Sequence, residues 1–162
     1  MALRMILDLN TVNGESQLEG YTDKIDIDQY SLDMHQSGTF HRGGGGAGGT
    51  CSMGDLMLSK KLDKSSADLT KKVCMGKHYT TAVLKVFKNT GDGFKEYYTI
   101  TLNDCIVSSY SIGGSADGLD YIHENFSINF KQIQTQYMLQ GADGILTDGG
   151  NMTYNCATEQ GS

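Results

Sequence analysis

Apolar and polar positions along the chain alternate with period two in several stretches, the spacing of strands rather than of helices. In Tyr97-Tyr98-Thr99-Ile100-Thr101-Leu102-Asn103, Tyr98, Ile100 and Leu102 share one face while Thr99, Thr101 and Asn103 share the other. This predicts a half-buried strand. Phe126, Ile128 and Phe130 alternate with Ser127 and Asn129, after which the phase changes and Ile133 and Tyr137 oppose Gln132, Gln134 and Gln136. A bulge near Lys131 is expected to make that change and bend the strand. Another strand is expected over residues 25–36, where Ile25 and Ile27 alternate with aspartates before Tyr30, Leu32 and Met34 take the opposite parity. A second bulge is expected there, near Asp28 and Gln29. Residues 78–88 carry apolar groups on both parities, Ala82, Leu84 and Val86 against Val83 and Phe87, as in a strand covered on both faces. The turn Asn89-Thr90-Gly91-Asp92-Gly93 then returns the chain into the Tyr97 strand as a hairpin.

One segment alone reads as helical. Ser65 stands where it can cap a helix over about residues 65–75, Asp68 falls in the first turn, and Gly76 can end it. Leu69, Val73 and Leu62 are expected to face the sheet. The fold class is therefore mainly β with one short flanking α-helix, and the strand count with shifting registers predicts a barrel or sandwich.

Composition narrows the function. The chain has 162 residues, the size of a single domain spanning 1–162, with 21 Gly and neither Pro nor Trp, so tight turns fall to Gly, Asn and Asp. A formal net charge of -6 disfavours nucleic acid, whose binding rests on clustered Lys and Arg. No stretch is long and apolar enough to span a bilayer, and the first residues lack a signal-type apolar segment. A soluble cytoplasmic product, exported by another route if at all, is expected. Cys51, Cys74, Cys105 and Cys156 show no C-x-x-C spacing and read as small hydrophobes or incidental thiols.

Candidate chemistry is sparse. Gly43-Gly44-Gly45-Gly46-Ala47-Gly48-Gly49 formally contains G-x-G-x-x-G, but a dinucleotide site needs that motif between a strand and a helix N-terminus. Thr50-Cys51-Ser52-Met53-Gly54-Asp55 is a poor helix start, and a P-loop Lys-Ser or Lys-Thr is missing. The run reads as a long loop, in functional terms one that reaches a neighbouring subunit. His35, His41, His78 and His123 sit on different expected elements without the spacing of a metal site. Ser108, Ser109 and Ser111 lack a G-x-S-x-G elbow, and Asp23, Asp26, Asp28 and Asp33 lack the order of a calcium loop; they read as a strand end and a solvated strand face. No cofactor and no enzymatic activity are expected.

The order of several short segments resembles one family. Leu9-Asn10-Thr11-Val12-Asn13-Gly14-Glu15-Ser16 looks like the opening strand and G-E-S turn of the haemolysin-coregulated protein (Hcp) family of type VI secretion. Gln36-Ser37-Gly38 and the following Gly run resemble its extended loop, and Lys61-Leu62-Asp63-Lys64-Ser65-Ser66 its approach to the helix. Gly76-Lys77-His78-Tyr79, the Val107-Ser108-Ser109 to Gly113-Gly114-Ser115 segment, and Ser127-Ile128-Asn129-Phe130 with Tyr137 resemble its later motifs. Arg4, where many members are acidic, and Cys156, where an aromatic is common, depart from the pattern.

The resemblance implies an Hcp-like β-barrel of two packed sheets with a flanking helix and an extended Gly-rich loop at about residues 37–50. It implies a structural, non-enzymatic tube subunit: hexameric rings stacked into a tube, expelled by a contractile sheath behind a VgrG-type spike, with small effector proteins in the lumen. It also implies secretion without a signal peptide, and the chain, ending at Ser162, is expected to lack the toxin extension of some relatives. The inter-subunit or inter-ring loop is placed at Gly43, Gly44, Gly45, Gly46, Ala47, Gly48 and Gly49. Alternation after Tyr30 puts Tyr30, Leu32 and Met34 toward the core and Ser31, Asp33 and His35 toward water. The wet surface could be outer wall, seam or channel; the expectation is the cargo-binding lumen. The alternative is a free-standing β-sandwich that binds carbohydrate, against which the lack of Trp counts; a small hydrolase would need a base–nucleophile pair that the sequence does not offer.

Overall fold

The computed structural model describes residues 3–38, 40, 48–118 and 120–162. Strands β1 (Leu3–Leu9), β2 (Ile25–Ile27), β3 (Gln29–Ser31), β4 (Met34–Gly38), β5 (Gly48–Met53) and β6 (Leu56–Lys61) precede helix α1 (Ser66–Met75). After it come β7 (His78–Asn89), β8 (Phe94–Gly113), β9 (His123–Gln140), β10 (Leu146–Asn155) and β11 (Gln160–Gly161). The mainly β fold with one short helix is the one the alternation and the capping residues predict.

One large sheet runs β2-β1-β7-β8-β9 with antiparallel neighbours, and the far edge of β9 is shared. Its first half pairs with β6, from Lys61↔His123 to Leu56↔Ile128, and its second half with β10, from Asn155↔Gln132 to Leu146↔Gln140. β3 lies beyond β6, and β11 beyond β10. The two ends of the curved path, β2 and β3, are consecutive in the chain, and at the crossing the Asp28 N–H donates to the Ser59 carbonyl at 2.8 Å. Among the described residues the hydrogen-bonded ladder is not closed; the covalent chain joins its ends. Hence the expected single strand over residues 25–36 is three strands: β2 pairs with β1, β3 with β6, and β4 with β5. A partner change at Asp28, rather than a bulge, reverses the parity.

Curvature arises at identifiable points. Val107 faces Ile128 while Ser109 faces Ser127, so Ser108 is an extra residue that bends β8. The Ser108 and Ser109 hydroxyls both hydrogen-bond that of Ser127, at 2.7 and 2.5 Å. The bulge expected at Lys131 is not there, for the β8–β9 register runs without a slip from Tyr98↔Tyr137 to Val107↔Ile128. Instead three neighbouring strands change buried face at one level, from Ala82, Leu102 and Ile133 to Tyr79, Cys105 and Phe130. There Asp104 takes a left-handed φ of 51°, a conformation that Asp tolerates better than most residues. β7 is likewise not covered evenly on both faces: Val83 is only half-buried, and Phe87 becomes buried after a register slip that follows Val86. Phe87 then meets the Tyr21 ring edge-on, with centroids 4.9 Å apart.

The core lies inside the curved sheet. Leu7, Leu9, Ile25, Leu56, Leu69, Leu84, Leu102, Ile128 and Ile133 are sealed from solvent. At about 1.5–3 kcal/mol per buried large apolar side chain, this set is the main force holding the sheet curved. Helix α1 closes over it through Leu69 and, partly, Val73, whereas Leu62 is 46% exposed and does not face the sheet. The cap departs from expectation too. Ser65 sits at the N-cap, but its hydroxyl does not cap; its N–H (2.9 Å) and its hydroxyl both donate to Asp63 Oδ1. At the other end Gly76 adopts φ 62° with its N–H on the Val73 carbonyl, as a glycine C-cap should.

Candidate functional site

β4 and β5 form a two-stranded ribbon, Met34↔Met53, His35↔Ser52, Gln36↔Cys51 and Gly38↔Gly48, which among the described residues pairs only with itself. Every residue of β4 is exposed. A lone two-stranded ribbon is marginal in water unless something further packs on it. Phe40, at 82% exposure, stands at its distal side. The expected loop at 37–50 is thus shorter than supposed, since β4 continues to Gly38 and β5 begins at Gly48. Gly48 and Gly49 are strand residues, and Gly43, Gly44, Gly45, Gly46 and Ala47 lie outside the described residues. Gly49 is fixed by close approach: a Cβ there would fall 1.8 Å from Ser37 Oγ and 3.0 Å from the Ser37 carbonyl oxygen.

Ser31 ends β3, Asp33 lies between strands and His35 is on β4; all three are exposed. The structure brings Asp33 and His35 together, with Oδ2 and Nε2 3.3 Å apart. Tyr30 and Leu32 pack against the core as expected, but Met34 is 47% exposed. The parity argument fails at Met34 because the chain has by then entered the ribbon, whose β4 strand is exposed along its whole length while its partner Met53 on β5 takes the core side. Ser31 borders a groove of about 400 Å³ whose other walls include Leu3, Met5, Met57 and Ser59. Leu3 and Met57 are about half exposed, so this surface is amphipathic rather than uniformly polar.

A second surface covers the outer face of β8, β9 and β10. The register aligns Thr99, Gln136 and Asn151 in one row, Thr101, Gln134 and Thr153 in the next, and Asn103, Gln132 and Asn155 in a third. All nine are uncharged and polar, and all are half-buried or exposed. Such a carpet can hydrogen-bond a neighbour while attracting no particular charge.

Two polar networks pin the loops that flank these surfaces. Lys60 is fully buried, its Nζ 2.5 Å from Glu124 Oε2, 2.8 Å from Asp63 Oδ1 and 3.2 Å from Ser66 Oγ. Tyr110 donates its hydroxyl to the other Glu124 oxygen, and burial together with that bond pushes the phenol well above its ordinary pKa. Sequence reasoning missed this cluster, although the parity of β6 holds the signal: Leu56, Leu58 and Lys60 share one face. In the second network the Tyr21 hydroxyl donates to Glu96 at 2.5 Å and Lys85 donates to the same oxygen at 2.8 Å, tying the loop after β1 to β7 and β8.

The other sequence candidates are dispersed. Asp23 pairs with Lys64 at 3.3 Å and Asp26 with Arg4 at 3.5 Å, so the aspartates form no single face. Ser108 donates to Asp55 at 2.6 Å within the β8 bulge. His78 and His123 begin separate strands, and His41 lies outside the described residues.

Comparison with known proteins places this geometry. Residues 6–137 match the family model described as type VI secretion system effector, Hcp. Protein hcp1 of Pseudomonas aeruginosa is 42% identical over 154 residues, covering 95% of this chain and 94% of that protein. The crystal structure of Hcp1 from Salmonella typhimurium superposes with a TM-score of 0.80 at 25% identity, covering all of both chains. A solved type six secretion system protein superposes with a TM-score of 0.93 at 23% identity, over 99% of this chain and 100% of the other, a likeness of fold.

Proposed function

The chain belongs to the Hcp family, the tube proteins of type VI secretion systems, and from that premise we propose that it forms hexameric rings that stack into an expelled tube and carry small effector proteins in the lumen. The near end-to-end identity of 42% with protein hcp1 is the observation that carries this reading. The exposed ribbon supports it, because an arm that one subunit cannot cover suits a heterologous contact, the kind that builds a ring when the rotation between subunits closes. In this reading the arm with residues 43–49 reaches the neighbouring subunit or ring, and Ser31, Asp33 and His35 border the lumen. A VgrG-type spike, sheath proteins and effectors are the partners, and the protein acts by assembly rather than by catalysis. The alternative, a free-standing carbohydrate module, has no support among the relatives found.

Secretion tests the proposal. The tagged protein, expressed in a bacterium with an active type VI apparatus, should reach the medium, and deleting the sheath gene should abolish its appearance there. Release that continues without the sheath would contradict the reading.

A further inference from the structure

β1 runs on past its neighbour. Its pairing with β2 stops at Met5↔Ile27, and at Asp28 the chain crosses to β6, where Gln29, Tyr30 and Ser31 pair with Ser59, Leu58 and Met57. Leu3 and Arg4 still pair with Lys88 and Phe87 of β7, but among the described residues no strand lies on their other edge. β3 likewise has β6 on one edge and, among the described residues, no strand on the other. In antiparallel strands successive residues turn their N–H and C=O groups to alternate edges, so both strands point main-chain donors and acceptors into the gap. The gap opens into the groove of about 400 Å³ that Leu3 and Met5 border on one side and Asp28 to Ser31 on the other.

The lining says what kind of chain fits there. Leu3 and Met5 share the face of Leu7 and Leu9, which are sealed, yet Leu3 is 52% exposed and Met5 and Tyr30 are only half-buried. These side chains have the parity of core residues and lack a strand to cover them. Two unpaired strand edges with apolar groups between them fit a further strand whose alternate residues are apolar. Asp28, where the two edges diverge, is the one charged residue in the lining. It is exposed and has no ion-pair partner among the described residues. A Lys or Arg at that end of the added strand complements it, in a chain whose net charge is -6.

We propose that this seam is a strand-addition site. It takes an extended peptide segment, apolar at alternate residues and basic at the end nearest Asp28, and holds it through main-chain hydrogen bonds more than through side chains. Such bonds are blind to sequence, so the site suits partners that share a conformation rather than a motif. Assigning the segment to a lumen effector rests on the proposed function, in which Ser31 borders both the groove and the lumen. The seam itself lies within one subunit.

The probe is a fluorescent, unstructured peptide of alternating Val and Thr with Lys at one end or the other, added to the full-length protein. Saturable binding by fluorescence anisotropy is expected, with amide hydrogen exchange slowed at Leu3 or Arg4 and within residues 29–31. Methylating alternate backbone amides of the peptide keeps every side chain but removes hydrogen bonds, and should weaken binding about tenfold or more. Leu3→Lys should weaken binding with an unchanged thermal midpoint, and Asp28→Asn should abolish the preference for Lys over Glu in the peptide. No saturable binding, equal binding of the methylated peptide, or protection on the polar rows of β8, β9 and β10 instead would each overturn the proposal. So would seam protection that grows with protein concentration in the absence of peptide, which would assign the seam to a second copy. Loss of the seam in protein that still forms hexameric rings leaves the tube reading standing, and peptide capture by protein that forms no ring leaves the seam standing.

Discussion

Lys60 and Glu124 face one another across the β6–β9 ladder with ammonium and carboxylate 2.5 Å apart and neither side chain reaching solvent. The pair couples the sheet to the start of α1, because the same ammonium bonds Asp63 and Ser66. Removing one partner strands a charge in the interior, whereas replacing both with apolar groups removes the desolvation penalty as well. Lys60→Met or Glu124→Leu alone should therefore destabilise the subunit by about 3–5 kcal/mol, and the two combined by clearly less than either single change. Urea unfolding of the four proteins in a double-mutant cycle measures this.

Glu96 predicts a pH dependence. Burial pushes its carboxyl up, but hydrogen bonds from Lys85 and Tyr21 and the Lys85 charge outweigh that and hold it below its ordinary value. A carboxyl depressed in the folded state contributes stability above its unfolded pKa, and the contribution is lost as pH falls through the folded value. The side chain is 39% exposed, so after solvent screening Glu96→Gln should lower stability by less than about 1 kcal/mol at neutral pH. At about pH 2, where both forms are uncharged at this position, the difference should vanish. Thermal unfolding at the two pH values checks both the sign and the window.

The arm should be separable from the fold. Gly38 and Gly48 are paired, so residues 39–47 can be replaced by a two-residue Asn-Gly turn that suits a hairpin of this hand. The ribbon covers little of the core, and the thermal midpoint should stay within a few degrees of the parent, about the shift that 1 kcal/mol produces. Ring and tube formation should be lost by electron microscopy. A shortened protein that fails to fold would show that the arm belongs to the core.

What could be read in the sequence was local. The α1 boundaries followed from Ser65, Asp68 and Gly76, and the inward faces of β8 and β9 from strict alternation at Ile100, Leu102, Phe126 and Ile128. Features set by distant partners were not legible. The division of residues 25–36 depends on β1, β6 and β5 in turn, and although parity puts Lys60 on the face of Leu56 and Leu58, its partner Glu124 lies on a strand more than sixty residues away. The parity that placed Ser31 on a wet surface could not show that Leu3 and Met57 share its groove.

That groove frames the cargo prediction. Ser31→Gln adds bulk at its border without touching the core, so rings should form normally by electron microscopy while co-purification of lumen cargo falls. Unchanged cargo retention with normal rings would place Ser31 on the outer wall instead.

In the proposed assembly this chain completes itself in a ring. Native mass spectrometry of the purified protein at micromolar concentration, with negative-stain images of the same sample, tests it most directly. A hexamer of the 17.6 kDa chain, seen as rings with an open centre, is the predicted result; a monomer under those conditions would contradict it.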